Sequence, residues 1–445
     1  MMRRSIAAGV STLALLTAAA GPAAASGFQL FEQSVTGLGR AYAGEGAAVE
    51  DASTVFSNPA GMPFLGLGKS PTTLHATAGL HAIVPKAKFK DTGSTFAVGG
   101  GNMNPRGVTS DGGEYATVPN LYVAGEMPGV KGLWLGFGAS VPFGLATSYD
   151  RAYPGRYFNL DTKLETVNFK PAVAYRLNDW ISVGGGFNIM YAEAELIRAV
   201  DFGTILGAGA GTRDGEVKIT GTDWAYAWDL GVMVTPMPAL RVGATFKSAY
   251  ALQLTGREEF TIPASAAAAA GNAAFQNTSA RAAVNLPEVA SLSAAYDMMG
   301  GDLTLLGDVT FTRWSSFQQL KITFGNKAQS ASVTQQNWDN SYRLGVGAMY
   351  RPWTGHIARA GFAYDKSPVP DSYRNPGIPD NDRYWLSLGY SWSPTALVRI
   401  DAGLSHLIVP GSTVALRGGA TGGGNLNGEL EASVTIFSVG GSLQF

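Results

Sequence analysis

Several segments of this chain alternate large apolar residues with small or charged ones, and that pattern narrows what it can fold into. Between Arg383 and Trp392 one face carries Tyr384, Leu386, Leu388, Tyr390 and Trp392, while Arg383, Trp385, Ser387, Gly389 and Ser391 take the other. Val398, Ile400, Ala402 and Leu404 oppose Arg399, Asp401, Gly403 and Ser405. The stretches Ala358–Asp365, Tyr342–Arg351 and Ile181–Tyr191 behave alike. Successive side chains of a strand point to opposite faces, so period 2 is the strand signal. Two architectures fit it. A soluble β-sandwich buries the apolar face in a core; a transmembrane barrel turns it to lipid and keeps the other face for the lumen.

Three features favour the barrel. The second face is Gly, Ser or isolated charge, not a uniform row of Lys and Glu. Aromatics stand at segment ends, Tyr384 with Trp392 and Tyr342 with Tyr350, as interfacial girdles do. The chain ends on Phe445, after Val439, Gly441 and Leu443 on one face, like the signal read by the barrel-assembly machinery. The expected fold is therefore all-β: a transmembrane antiparallel β-barrel of about fourteen strands, monomeric, with a partly helical N-terminal plug in its lumen. Candidate strands lie near 72–89, 114–126, 131–147, 162–176, 181–198, 217–235, 240–254, 279–297, 302–323, 338–350, 357–366, 383–393, 396–409 and 428–445. Stretches 90–113, 199–216, 255–278, 367–382 and 410–427 are expected as outer loops, with a short helix in Pro263–Ala274 because of its alanines. The turns at Asn178-Asp179 and Met299–Gly301 would face the periplasm.

The N-terminal part has a different character. Arg3 and Arg4 precede an apolar run, Ile6 to Ala20, and then Ala23-Ala24-Ala25; residues 1–25 read as a cleaved signal peptide. Ser26–Pro63 is rich in Gly and Ala and does not alternate. It is expected to form the plug, residues 26–65, inside the barrel built by 66–445. Within it Asn58 suits a helix N-cap and Pro59, followed by Ala60, the first helical position. Absence of cysteine excludes disulfides, thiolate metal sites and a Cys nucleophile, and a net charge of −1 with 15% charged residues gives no sign of nucleic-acid binding.

The segment GFQLFEQSVTGLGRAYAGEGAAVEDASTVFSNPAGM resembles the N-terminal hatch of the FadL family of outer-membrane transporters, which carry long-chain fatty acids and, in the TodX-like members, aromatic hydrocarbons. PFGLATSYD at Pro142–Asp150, AYRLND with Trp180, LPEVASLSAAYDM at Leu286–Met298 and TRWSSFQQLKI at Thr312–Ile322 extend the resemblance. DKSPVP at Asp365–Pro370 and IPDNDRYWLSLGY at Ile378–Tyr390 carry it furthest. It implies location in the bacterial outer membrane and passive uptake of hydrophobic compounds, without nucleotide, metal or other cofactor.

Residue by residue, the resemblance implies that Arg198 lines an internal pocket, where a cation could pair with a carboxylate; an outer-rim charge is the other reading. Phe28 and Leu30 would reach that pocket from the new N-terminus, or simply pack the plug. At the position of a pocket lysine in the family, this chain has Asp339, which leaves room for an uncharged hydrocarbon substrate. Pro142, Phe143 and Gly144 would bend a wall strand inward and open a side hole to the bilayer; an ordinary bulge is the alternative. Lys170, Arg176, Arg343, Arg359, Arg383, Arg399, Asp308, Asp365 and Asp401 fall on the lumenal faces, where pairing with one another or with the plug accounts for them. No catalytic set is evident: His75, His81, His356 and His406 lack zinc-motif spacing, and neither a G-x-S-x-G elbow nor a P-loop occurs. An aqueous porin, a surface hydrolase with a Ser/His pair joined only in space, and an adhesin are the competing classes.

Overall fold

The computed structural model describes residues 26–65, 74–418 and 423–445, so the expected signal peptide 1–25 lies outside the described residues. Fourteen staves form one closed antiparallel barrel. They are β1 (Leu74–Asp91), β2 (Ala116–Glu126), β3 (Leu133–Ser140 and Gly144–Ser148), β4 (Asp161–Arg176), β5 (Ile181–Asp201), β6 (Asp214–Met237) and β7 (Leu240–Lys247 and Tyr250–Thr261). Next come β8 (Thr278–Leu286 and Val289–Met298), β9 (Leu303–Thr312 and Gln319–Phe324), β10 (Ser341–Tyr350), β11 (His356–Asp365), β12 (Arg383–Trp392), β13 (Val398–Arg417) and β14 (Asn425–Gln444). Each pairs with its sequence neighbour, and β14 returns to β1 from His75↔Gln444 to Asp91↔Gly428. Closure removes the exposed edges that hydrocarbon would not hydrogen-bond.

The alternation resolves as a barrel wall. On β12, Leu386 and Leu388 are 50% and 62% exposed, whereas Arg383 and Trp385 are 1% and 0%. Large apolar side chains point outward around the wall, as at Leu135, Phe187, Leu230, Val346 and Val439. A sandwich would bury these and expose the arginines.

Some element boundaries differ from the expected ones. The strand expected at 396–409 continues as β13 through a bulge between Val409 and Ser412, so the outer loop expected at 410–427 is shorter. The single strand expected near 279–297 is broken at Pro287, which cannot donate to a ladder. Pro263–Ala274 makes 3-10 turns, Ala264–Gly271 and then Ala273–Phe275, not an α-helix. Its start has no side-chain cap, and a segment this short cannot offset helix nucleation.

Residues 26–65 fold against the inner wall. Two short helices, α1 (Val35–Leu38) and α2 (Thr54–Ser57), precede a 3-10 turn, Pro59–Phe64. Ser34 caps α1 by accepting from the Gly37 amide at 3.0 Å. Asn58 accepts from the Ala60 amide at 3.2 Å, and its Nδ2 donates to the carbonyls of Gly46 at 2.8 Å and Val232 at 3.2 Å. The wall is bare where the plug approaches most closely. A Cβ on Gly361 would lie 2.1 Å from the Arg40 carbonyl carbon, and one on Gly389 2.6 Å from Gly39 Cα.

Ion pairs fasten the plug. Glu50 pairs with Arg359 on β11 and with Arg40 within the plug at 3.0 Å, and Asp51 pairs with Arg399 on β13 at 2.7 Å. Burial works against ionisation of Glu50, but the Arg359 and Arg40 guanidiniums outweigh it and hold the carboxyl well below the usual range. Arg343 meets Asp308 at 3.5 Å, and Arg383 meets Asp365 at 3.7 Å and also Asp380. Arg176 lies instead at a turn, donating to the Asn178 and Asp179 carbonyls. His81 is fully buried between Ser438 and Asn120, a structural hydrogen-bonding position.

Candidate functional site

The wall is interrupted at β3. Residues Val141–Phe143 leave the strand, and between the pairs Leu121↔Ala139 and Gly113↔Thr147 no β2–β3 pairing occurs among the described residues. Pro142 has no N–H to offer, so only its carbonyl can be satisfied by a strand partner. That partner is Phe28–Leu30. Leu30 N donates to Pro142 O at 2.9 Å, Gly144 N donates to Phe28 O at 2.9 Å, and Gln29 bridges to Phe143. Gln33 Nε2 adds a bond to the Val141 carbonyl at 2.6 Å. From β4, Thr166 Oγ1 donates to Phe143 O at 2.5 Å. Phe28–Leu30 thus forms a short lumenal strand on the displaced piece of wall, which sequence reading did not foresee.

Two candidates separated by over a hundred residues therefore become one unit. Phe28 is 4% exposed and packs edge-on among Trp314 at 4.7 Å, Phe317 at 5.7 Å and Phe143 at 6.4 Å between ring centroids, with Trp338 tilted at 5.6 Å. Leu30 is buried on the opposite side, toward the plug. Trp314, Phe317 and Trp338 were not candidates from sequence. They sit where β9 breaks and just before β10, so no alternation marks them; the TRWSSF wording is the only signal.

Above Phe28, toward the long connections, lies an apolar cavity walled by side chains such as Leu145, Leu164, Leu252 and Leu320. It runs into a second through shared Leu196, Ile219 and Ile322. Arg198 lines this second cavity, on the same inward face of β5 as Leu196 and Ala194. Its guanidinium makes no hydrogen bond or ion pair among the described residues, while Glu258 supplies only a more distant field. Asp339 is exposed, outside both linings, and its amide donates to the Pro368 carbonyl at 2.9 Å. It places no negative charge in the cavities.

Fourteen staves, an inward N-terminus and an apolar lumenal cavity are the context for the sequence comparison. The family described as outer membrane protein transport protein (OMPP1/FadL/TodX) matches residues 16–445. The chain belongs to this family. A long-chain fatty acid transport protein of Escherichia coli O6:H1 is 32% identical over 410 residues, covering 86% of each chain. Outer membrane protein P1 of Haemophilus influenzae is 29% identical over 425 residues, covering 87% of each. Among solved structures, a Pseudomonas aeruginosa FadL homologue superposes with a TM-score of 0.85 at 23% identity, over 94% of this chain and all of that one. The Pseudomonas putida toluene transporter TodX has a TM-score of 0.65 at 13% identity, over 88% and 94%. These two likenesses concern the fold. As a member of the OMPP1/FadL/TodX family the protein resides in the bacterial outer membrane, transports hydrophobic compounds such as fatty acids, and is not an enzyme.

Proposed function

We propose that the protein takes up long-chain fatty acids passively, with residues 26–65 as the plug and Phe28 as the stopper between the outer cavities and the plug. The observation carrying this reading is Arg198: a cation at the margin of an apolar cavity, with no hydrogen bond or ion pair among the described residues and only the field of Glu258 nearby. An ammonium or guanidinium held off water without an acceptor is costly, so such a group suits an anionic ligand. The apolar walls suit the alkyl chain, at about 25 cal/mol per Å² of apolar area removed from water. The curated E. coli relative, named for long-chain fatty acid transport, points the same way. Exit is sideways, where β2 and β3 do not pair, after Phe28–Leu30 releases Pro142–Gly144. This route spares an apolar solute the aqueous periplasmic mouth. The leader 1–25 is removed on export, and the strand ending at Phe445 engages the assembly machinery; the barrel works as a monomer.

A second reading, uptake of neutral hydrocarbons, is favoured by the lysine position now held by Asp339. Mass spectrometry of molecules that co-purify with wild type and with Arg198→Ala separates the two. A fatty acid bound to wild type and weakened ~10-fold or more in the variant supports the first, since a charge-assisted hydrogen bond contributes about 1.5–3 kcal/mol. A neutral ligand retained by both selects the second. Deleting Asn58–Ala60 tests transport itself: unchanged uptake of labelled fatty acid and labelled aromatic hydrocarbon by a properly inserted barrel would reject both readings.

A further inference from the structure

Below the Phe28 stopper lies an inner chamber with a basic group that makes no hydrogen bond or ion pair among the described residues. One cavity is bounded by Leu30, Phe56, Ser293 and Lys247, and a second by Pro142, Phe143, Phe56 and Lys247. Lys247 ends the first half of β7 and stands at the junction of the two. One flank of this space is therefore the interrupted wall itself.

Every carboxylate facing the chamber already has a cation. Asp229, the ladder neighbour of Lys247, receives Lys170 Nζ on one oxygen at 2.7 Å and Asn188 Nδ2 on the other at 2.7 Å. Glu45 pairs with Arg40 at 2.7 Å, and Asp308 with Arg343 at 3.5 Å. Lys247 is left over. It makes no hydrogen bond or ion pair among the described residues, and its ammonium lies 3.5 Å from the centroid of the Phe56 ring. A π face attracts a cation but accepts none of its N–H bonds in the plane. An amine with no acceptor among the described residues, set in a lumenal cavity, is complementary to a carboxylate.

We propose that this chamber is a second binding station for the anionic head group of the transported amphiphile, with Lys247 as its counter-charge. The inference rests on the fatty-acid reading above and adds a step to it. The head group leaves Arg198, passes the displaced Phe28, and is held at Lys247 while the alkyl tail faces the Pro142–Phe143 interruption. Phe56 then keeps the ammonium in place between ligands.

Uptake of oleate and of methyl oleate should be measured in cells carrying wild type, Lys247→Met, Lys247→Arg and Arg198→Ala, each shown to be inserted by its heat-dependent gel mobility. Lys247→Met should slow oleate ~10-fold more than the uncharged ester, the scale of one lost charge-assisted hydrogen bond, and Lys247→Arg should restore it. In the unaltered protein, oleate bearing a diazirine beside its carboxyl should cross-link to Phe56 or to residues near Lys247, besides the outer cavity. The inner station is overturned if Lys247→Met slows both substrates equally, which would make Lys247 a tether for the plug. It is also overturned if oleate uptake is unaffected and cross-links stay in the outer cavity. In either case the fatty-acid reading survives so long as Arg198→Ala still weakens oleate binding; it fails separately if wild type neither binds nor transports oleate.

Discussion

Burial sets the charge states that matter at single residues. Glu32 belongs to the plug and is fully buried. Burial pushes its carboxyl up from 4.5 to about 7, against the pull of the Arg383 and Arg343 guanidiniums. A folded-state value above the unfolded one means that the uncharged acid is preferred in the seated plug. The stabilisation is complete below the unfolded value and is lost as pH rises through about 7. Protection factors across residues 26–40, with the intrinsic pH dependence of amide exchange divided out, should therefore be larger near pH 5 than near pH 8, as the linkage sign requires. Glu32→Gln, uncharged at both, should remove most of that difference; an equal difference in the variant would reject the assignment. Arg198 and Lys247 show the complementary case, a basic group that makes no hydrogen bond or ion pair among the described residues.

Among the elements, the plug's contact with β3 is short and built on the backbone. Phe28–Leu30 is held to Pro142–Gly144 by two backbone bonds and by the packing of Phe28 among four rings. Truncating a buried Phe typically costs about 3–5 kcal/mol. Phe28→Ala should detach this short strand while the wall ladders persist. The measurable outcome is faster protease cleavage near residue 30 with unchanged barrel circular dichroism. At the other contact the wall must stay bare. Gly361→Val should keep the plug from seating, because its Cβ falls on Arg40 backbone, which has no rotamer to move to. The variant should admit bulky hydrophilic antibiotics that wild type excludes; equal resistance would show that the plug can shift.

For the molecule as a whole, wall and plug answer to different forces. The wall is closed by continuous ladders from β1 to β14, so it should assemble without residues 26–65. Such a truncated protein should still migrate as a folded barrel in cold detergent gels and should conduct ions in planar bilayers more than the full chain does. Failure to assemble would mean that the Glu50–Arg359 and Asp51–Arg399 pairs are needed during folding, not only for closure. Removing one member of such a buried pair leaves the other uncompensated, typically at about 3–5 kcal/mol.

Much of this was legible in the amino-acid order because lipid imposes a simple rule. Each wall residue faces either hydrocarbon or lumen, so Leu386, Leu388 and Tyr390 had to alternate with Arg383, Ser387 and Ser391, and their number set the scale of the barrel. The hatch wording from Gly27 to Met62 and the match around Ile378–Tyr390 identified the family. Contacts between residues far apart follow no such period. That Phe28 lies on Phe143 and Trp314, and that Asp229 is spent on Lys170 so that Lys247 stands free, depends on how a closed ring of strands folds its own N-terminus inside it. Period and wording along the chain thus account for the wall, its compartment and its kin, whereas the pairing of charges emerges only on folding, because pairing is a matter of distance and local order carries none.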